Sequence, residues 1–399
     1  MVAPVRPCRI EADDPPATVI EALRRHVAAY RARVGFDPEV ERVLGRVLAC
    51  RTGALGTHQC VCEACGWTGV AANSCRDRHC PQCQGRATAE WLDARQERML
   101  DLPHFQVVFT LPAELRPLAR RNPRVLYAPL FRAGTSVLQD LAAQRFKATM
   151  GITATLHTWT TEMTYHPHIH CIVTAGGLAL DGSQWVHSRA AFLFPQRVLG
   201  MMFRGRFLQG LILALGAGEL RLPEPGPAAE KLFRTQLRAL SRRLARWVVH
   251  VDPPKGRPVV HIAGYLARYV KRIAISDARI LALSDTHVTI ATRNGPLTLE
   301  GTEFVRRFAL HILPAGFRKV RHYGLYAPGR CNERLERARA VLDQRPPRPP
   351  PEGELADADR GEEAETSQRE PCPACGEKRM VRLFADARAP VCPMARGSP

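Results

Sequence analysis

The segment Tyr165-His166-Pro167-His168-Ile169-His170-Cys171-Ile172-Val173 places imidazoles on alternate residues. On a β-strand alternate side chains share a face, so His168 and His170 point one way while Ile169, Cys171 and Val173 point the other. An apolar face to bury and two imidazoles opposite it suit metal binding, because neutral imidazole is the commonest side-chain metal ligand. The preceding run, Thr153-Ala154-Thr155-Leu156-His157-Thr158-Trp159, is rich in strand formers. There His157 shares a face with Thr155 and Trp159. A turn over residues 161–167, closed by Pro167 before the second strand, would fold the two runs antiparallel and bring His157 to the pair. The register depends on turn geometry, so Glu162 competes with His157 as third ligand.

Two of the seven tyrosines lie in Gly264-Tyr265-Leu266-Ala267-Arg268-Tyr269-Val270-Lys271-Arg272. On a helix Tyr265 and Tyr269 are i, i+4 and share a face, with Arg268, Lys271 and Arg272 alongside to hold a phosphodiester. Two core aromatics on an amphipathic helix are the plainer reading of that segment alone. A phenol, with a pKa of about 10, is a poor nucleophile at neutral pH, and a metal ion with nearby guanidinium groups supplies what it lacks. Tyr323 and Tyr326 are rival nucleophiles, although Gly324 between them argues against a regular helix.

The cysteines suggest a second kind of metal chemistry. Cys62-x-x-Cys65 and Cys80-x-x-Cys83 are separated by fourteen residues, and two such turns can complete one closed, four-thiolate zinc site. Cys50, His58, Cys75 and His79 surround them as candidates for a second zinc, and Cys60 is either a spare or a replacement for a neighbour. The block could present Arg76, Arg78 and Arg86 to nucleic acid. A further pair, Cys372-x-x-Cys375, has only Cys392 downstream, which leaves that set one ligand short.

Net charge is +19 over 399 residues, which points to a polyanionic partner, nucleic acid first. Without a run of about twenty apolar residues or a signal-like N-terminus, the expectation is a cytosolic protein with no membrane partner. Thirteen cysteines in such a reducing compartment argue for metal ligation. No Gly-x-x-x-x-Gly-Lys-Ser/Thr motif is present, so no nucleotide-driven helicase is evident.

The elements that must position these groups read as follows. Helix is expected from Thr18 to Leu48 with a break at Gly35 and Pro38, and again from Ala87 to Leu100. A buried strand spans Phe105 to Leu111. Helical pieces run from Arg116 to Met150, interrupted at Pro123 and Pro129, and basic helices cover Pro195 to Leu215 and Ala228 to Arg246. A strand at Trp247 to Val251 precedes a helix from His261 to Ile273, and Asn294-Gly295 marks a hairpin. After Val341 a Pro-rich and then acidic linker begins. The division expected is an N-terminal helix and zinc-binding domain over 1–100, a catalytic domain over 101–343, and a linker with a cysteine-containing tail over 344–399.

Taken in order, these segments resemble the insertion-sequence-91 family of transposases, from about Val47 to Arg330. The likeness rests on Cys50-Arg51-Thr52, Asn73-Ser74-Cys75-Arg76-Asp77-Arg78-His79-Cys80-Pro81-Gln82-Cys83-Gln84 and Leu156-His157-Thr158-Trp159. It continues through His166-Pro167-His168-Ile169-His170-Cys171, Gly264-Tyr265-Leu266-Ala267-Arg268-Tyr269 and Arg321-His322-Tyr323-Gly324-Leu325. The resemblance implies an α+β fold: a His-hydrophobic-His (HUH) nuclease domain with a central antiparallel sheet and flanking helices, plus a small zinc-binding domain. It puts the HUH pair on His168 and His170, with His157 the candidate third ligand, and the nucleophiles on Tyr265 and Tyr269. The activity implied is rolling-circle transposition through a 5′-phosphotyrosine. A divalent ion (Mg or Mn) would serve the HUH site and zinc the cysteine block. The partners would be single-stranded DNA at transposon ends and targets, with host replication or helicase machinery. A plasmid replication initiator or relaxase would share this chemistry. A non-catalytic zinc-dependent DNA-binding protein would need the His and Tyr clusters to be structural.

Overall fold

The structure is a computed structural model that describes residues 17–83, 98–189, 191–254, 274–343, 372–377 and 380–382. The expected helix at His261–Ile273, and with it Tyr265, Arg268, Tyr269, Lys271 and Arg272, lies outside these residues, as do most of Ala87–Leu100, Arg86 and Cys392.

The N-terminal region forms two helices, broken where Gly35 and Pro38 predict. In α1 (Val19–Arg33) the first turn is capped by Thr18 Oγ1, which accepts from the Glu21 N–H at 3.1 Å. In α2 (Pro38–Leu48) the Asp37 carboxylate caps Glu39, and Pro38 sits where a helix needs no N–H donor. The hairpin of β1 (Thr57–Cys62) and β2 (Thr68–Ala72) follows, then β3 (His104–Thr110).

Helices α3 (Arg116–Arg121) and α4 (Pro123–Arg145) meet at Asn122. Pro123 opens α4 as expected, but Pro129 does not interrupt it. A proline inside a helix forfeits one hydrogen bond. Here it is buried against the next core helix, where a Cβ on Gly210 would lie 3.0 Å from Pro129 Cβ. Then come β4 (Ala148–Thr149), β5 (Gly151–Trp159), β6 (Tyr165–Thr174), β7 (Gly176–Ala179) and β8 (Trp185–His187). Helices α5 (Gln196–Gly216) and α6 (Pro227–Arg242) precede β9 (Val249–Asp252). The strands β10 (Ile280–Leu283), β11 (His287–Thr292) and β12 (Gly295–Glu300) form a meander, turned at Asn294-Gly295 with Gly295 at φ +107°. The chain continues through α7 (Gly301–Ala309), β13 (Val320–Gly324) and α8 (Cys331–Leu342), and β14 (Met380–Arg382) is added by the tail.

The fold is α+β around an antiparallel five-stranded sheet of order β13-β5-β6-β3-β9, so the strand bearing His168 and His170 is in the middle. One face of the sheet is the main core. Phe105, Val107 and Phe109 of β3 and Ile169, Cys171 and Val173 of β6 pack there with Phe131 and Leu138 of α4 and Phe203 and Phe207 of α5. At Gly134 α4 comes so close that a Cβ would lie 2.8 Å from Ile169 and 2.9 Å from Phe109, a contact only glycine allows.

By length and composition α5 could cross a bilayer. Its apolar stripe of Leu199, Phe203, Phe207 and Leu211 is instead buried in the core, and Arg206 pairs with Asp140 of α4. A second core joins Ile20, Leu23 and Leu44 of α1 and α2 to Val288, Ile290, Phe304 and Phe308. The N-terminal helices therefore share their apolar interior with residues beyond 274.

Candidate active site and cysteine clusters

The histidines meet through strand register. On β5 and β6, His157 lies directly opposite His168, and Thr155 opposite His170. Ligand nitrogens of His157, His168 and His170 all lie within 4.8 Å of one another, with ring centroids of His157 and His170 4.4 Å apart. Glu162 stays in the turn, accepting from Thr161 Oγ1 at 2.9 Å, and is not part of the cluster. Pro167 does not close the turn as expected. Strand β6 already begins at Tyr165, and the pairing shifts between His157↔His168 and Trp159↔Tyr165, so two residues, His166 and Pro167, oppose Thr158. Proline cannot donate to a ladder, and a bulge is where a strand tolerates it.

The neighbours suit metal binding. His168 Nδ1–H donates to the His166 carbonyl at 2.6 Å, which leaves the lone pair on Nε2. The Gln106 carboxamide on β3 lies 2.8 Å from His170 Nδ1, and with the amide turned so that its oxygen accepts from Nδ1–H, His170 Nε2 is left free to ligate. Burial is the main cause that pushes His168 down to about 4 and His170 down to about 3, so both are neutral and able to ligate at physiological pH. His166 is engaged by Arg116. Gln106 escaped the sequence reading, although alternation along Phe105–Leu111 does place it on the polar face of that strand. His311 escaped it too. It is buried, accepts from Thr158 Oγ1 (3.1 Å) and donates to the Met163 carbonyl (3.1 Å), bracing the turn between the two His strands.

All five described tyrosines are committed elsewhere. Tyr30 stacks on Phe36 with centroids 4.7 Å apart. The Tyr127 and Tyr165 hydroxyls bond to each other inside the core. Tyr326 is buried, its hydroxyl bonded to His104 Nε2 at 3.0 Å. Tyr323 pairs with Ile152 on β13 and packs against the main core, on the sheet face opposite His157.

The cysteines assemble differently from the expected Cys62, Cys65, Cys80 and Cys83 set. Cys80 and Cys83 come together with Cys50 and Cys75, with Cys83 Sγ 3.6 Å from both Cys50 Sγ and Cys75 Sγ. Cys62 and Cys65 instead meet Cys372 and Cys375 of the tail. His58 and His79 ligate neither group. His58 Nδ1 is hydrogen-bonded to Asn73 Oδ1 at 2.9 Å. His79 Nδ1–H donates to Asp77 at 2.8 Å within the block, while Nε2 accepts from the Leu313 N–H at 3.0 Å and docks the block, so both its nitrogens are spent. Arg78, expected on the surface, is turned inward onto the carbonyls of Pro314 (2.7 Å) and Phe317. Cys60 is a spare, 3.4 Å from the Gly69 carbonyl.

A tetrahedral zinc with Zn–S bonds of about 2.3 Å separates its sulfurs by about 3.8 Å, whereas a disulfide needs about 2.05 Å. The cluster of Cys50, Cys75, Cys80 and Cys83 matches the former. Buried thiols with N–H groups aimed at them, from Cys75 to Cys50 Sγ at 3.4 Å and from Asp77 to Cys75 Sγ at 3.5 Å, form the donor set of a structural zinc site.

Comparison with known proteins places the chain in a family. A family profile described as "Transposase zinc-binding domain" matches residues 22–111, and one described as "Putative transposase" matches residues 151–334. A Sinorhizobium fredii protein named "Putative transposase y4qJ" is 37% identical over 92% of this chain and 94% of its own. The transposase for insertion sequence element IS801 from Pseudomonas savastanoi pv. phaseolicola is 32% identical over 79% of this chain and 77% of its own. No solved structure matches. Relatedness of this depth, running through the zinc-binding block and the imidazole strand alike, makes the chain a member of the insertion-sequence-91 family of transposases.

Proposed function

We propose that this transposase moves DNA by a rolling-circle route, nicking and rejoining single strands through a covalent phosphotyrosine. One observation carries the reading: His168 and His170 of the middle strand and His157 of the neighbouring β5 converge on the sheet face away from the main core. His157, His168 and His170 would hold a divalent ion, Mg or Mn. When bound, the ion would supply Lewis-acid polarisation of a scissile phosphate oxygen.

The nucleophiles proposed are Tyr265 and Tyr269, the i, i+4 pair that the family resemblance implies. The engagement of Tyr30, Tyr127, Tyr165, Tyr323 and Tyr326 in packing and hydrogen bonds supports that reading. A tyrosine oxygen attacks phosphorus in line. The Tyr–O–P bond forms as the bond to the 3′ oxygen breaks, the phenolic proton is lost to water, and the departing oxygen becomes a 3′-OH. Rejoining is the reverse attack by a 3′-OH, so the chemistry consumes no nucleotide. Arg268, Lys271 and Arg272, on the tyrosine segment, would bind the flanking phosphates, and two tyrosines would let the enzyme hold one end while cutting another. Separation of the duplex would fall to host replication or helicase proteins.

The test is a suicide oligonucleotide that traps the covalent adduct. The native protein should form it on single-stranded transposon ends. Tyr265→Phe with Tyr269→Phe should lower adduct formation at least about a thousandfold, the scale of losing a nucleophile, while DNA binding persists. An undiminished adduct in the double variant would refute the assignment.

A further inference from the structure

We propose that the tail builds a second zinc site: Cys372 and Cys375 close a four-thiolate centre with Cys62 and Cys65, clasping the C-terminal segment to the N-terminal block. Cys62 Sγ lies 3.7 Å from Cys375 Sγ, and Cys65 Sγ lies 3.7 Å from Cys372 Sγ. Those separations match the edge of about 3.8 Å expected for a tetrahedral zinc–thiolate centre and are too long for disulfides.

The two halves are built alike, which distance alone would not require. In Cys62-Glu63-Ala64-Cys65-Gly66-Trp67 the Gly66 N–H donates to the Cys62 carbonyl at 2.8 Å and the Cys62 N–H to the Trp67 carbonyl at 2.8 Å. In Cys372-Pro373-Ala374-Cys375-Gly376-Glu377 the Gly376 N–H donates to the Cys372 carbonyl at 2.8 Å and the Cys372 N–H to the Glu377 carbonyl at 2.9 Å. Gly66 and Gly376 take the same left-handed turn, at φ +71° and +76°. In both, the glycine follows the second cysteine and lets the loop wrap so that both sulfurs aim at one point. Cys80-Pro81-Gln82-Cys83, which belongs to the other cluster, has Gln84 in that place and forms a short 3₁₀ turn instead.

Strand pairing holds the halves together. β14 lies antiparallel to β1, with Cys62 opposite Met380 and Cys60 opposite Arg382, completing a sheet of order β14-β1-β2. The ligands come from segments some three hundred residues apart, so the ion is what fastens the chain end. This inference stands apart from the cleavage chemistry.

Zinc content of the purified full chain, measured by mass spectrometry, tests it. Two zinc ions per chain are expected. Cys372→Ser with Cys375→Ser should leave one, Cys62→Ser with Cys65→Ser should leave one, and all four changes together should still leave one, because the four thiols share a single ion. Two zincs retained in the tail variant, one in the unaltered chain, or none in the quadruple variant would each overturn the clasp. A measurement on cobalt-substituted protein guards against misfolded variants. The tetrathiolate absorption of the unaltered chain should be halved when the chain is ended after Asp343, and an undiminished signal would also overturn it.

Discussion

The imidazole cluster and the cysteine clusters are both groups of side chains able to ligate a metal, yet they are held by opposite means. His157, His168 and His170 sit within fourteen consecutive residues, on two paired strands whose ladder sets their spacing. Their support is the main core itself, since the reverse faces of the same strands bury Leu156, Ile169 and Cys171. Cys50, Cys75, Cys80 and Cys83 come from loops and turns, and Cys62, Cys65, Cys372 and Cys375 from two small turns with little core between them. The first site is pre-organised by folding; in the second kind metal binding is folding free energy. Removing a ligand should therefore abolish chemistry in one region and structure in the other.

The largest expected effect is on the strand site. His168→Ala or His170→Ala should abolish cleavage of single-stranded DNA, measured with a labelled oligonucleotide, while circular dichroism and thermal unfolding stay near those of the native protein. Chelation of divalent ions should do the same, under conditions in which zinc content is verified to be intact. Cleavage that survives chelation would break the contrast on its catalytic side.

Cys80→Ser should act the other way. Structural zinc contributes on the order of 10 kcal/mol where a small module folds around it. Its loss should open the N-terminal block to protease, because Cys50, Cys75 and Cys80 belong to the same apolar cluster as α1 and α2. A variant that sheds zinc yet resists protease as the native protein does would show that the helices fold without metal.

Gln106→Leu tests a smaller coupling. Loss of a group that orients a metal-ligating histidine typically costs about 10–100-fold in metal affinity or activity. Here the loss should appear as a higher metal concentration for half-maximal cleavage, with the maximal rate largely recovered at saturating metal. An unchanged metal dependence would mean that the bond to His170 only packs the sheet.

The smallest effect is expected at Tyr323. Because it lies on the core face, Tyr323→Phe should leave adduct formation within a fewfold of native. A loss as deep as that expected for Tyr265 and Tyr269 would instead make it the nucleophile.

Period-two alternation marked His168 and His170 from the chain alone, and the helix break at Gly35 and Pro38 and the hairpin at Asn294-Gly295 followed from backbone chemistry that acts within a few residues. His157 was legible as a candidate, because a hairpin partner lies nearby in sequence, but ranking it above Glu162 needed the observed register. For the same reason Pro167 suggests a turn in the sequence and proves to be a bulge: proline forbids a donor, and only the pairing says whether that ends a strand or kinks one.

Pairing of the thiols was not legible by spacing. Two Cys-x-x-Cys turns fourteen residues apart look like one zinc site, and the local difference between them is the glycine that follows Cys65, as it follows Cys375, and does not follow Cys83. Sequence by itself determined which residues could ligate, which faces were apolar and where local turns must fall, since each depends on neighbours along the chain. Only the tertiary structure decided which ligands meet, that His58 and His79 are spent on hydrogen bonds, that Tyr323 packs half-buried against the core face, and that the tail returns to residue 62. Those outcomes depend on register and long-range packing, whose energies are shared among residues hundreds of positions apart.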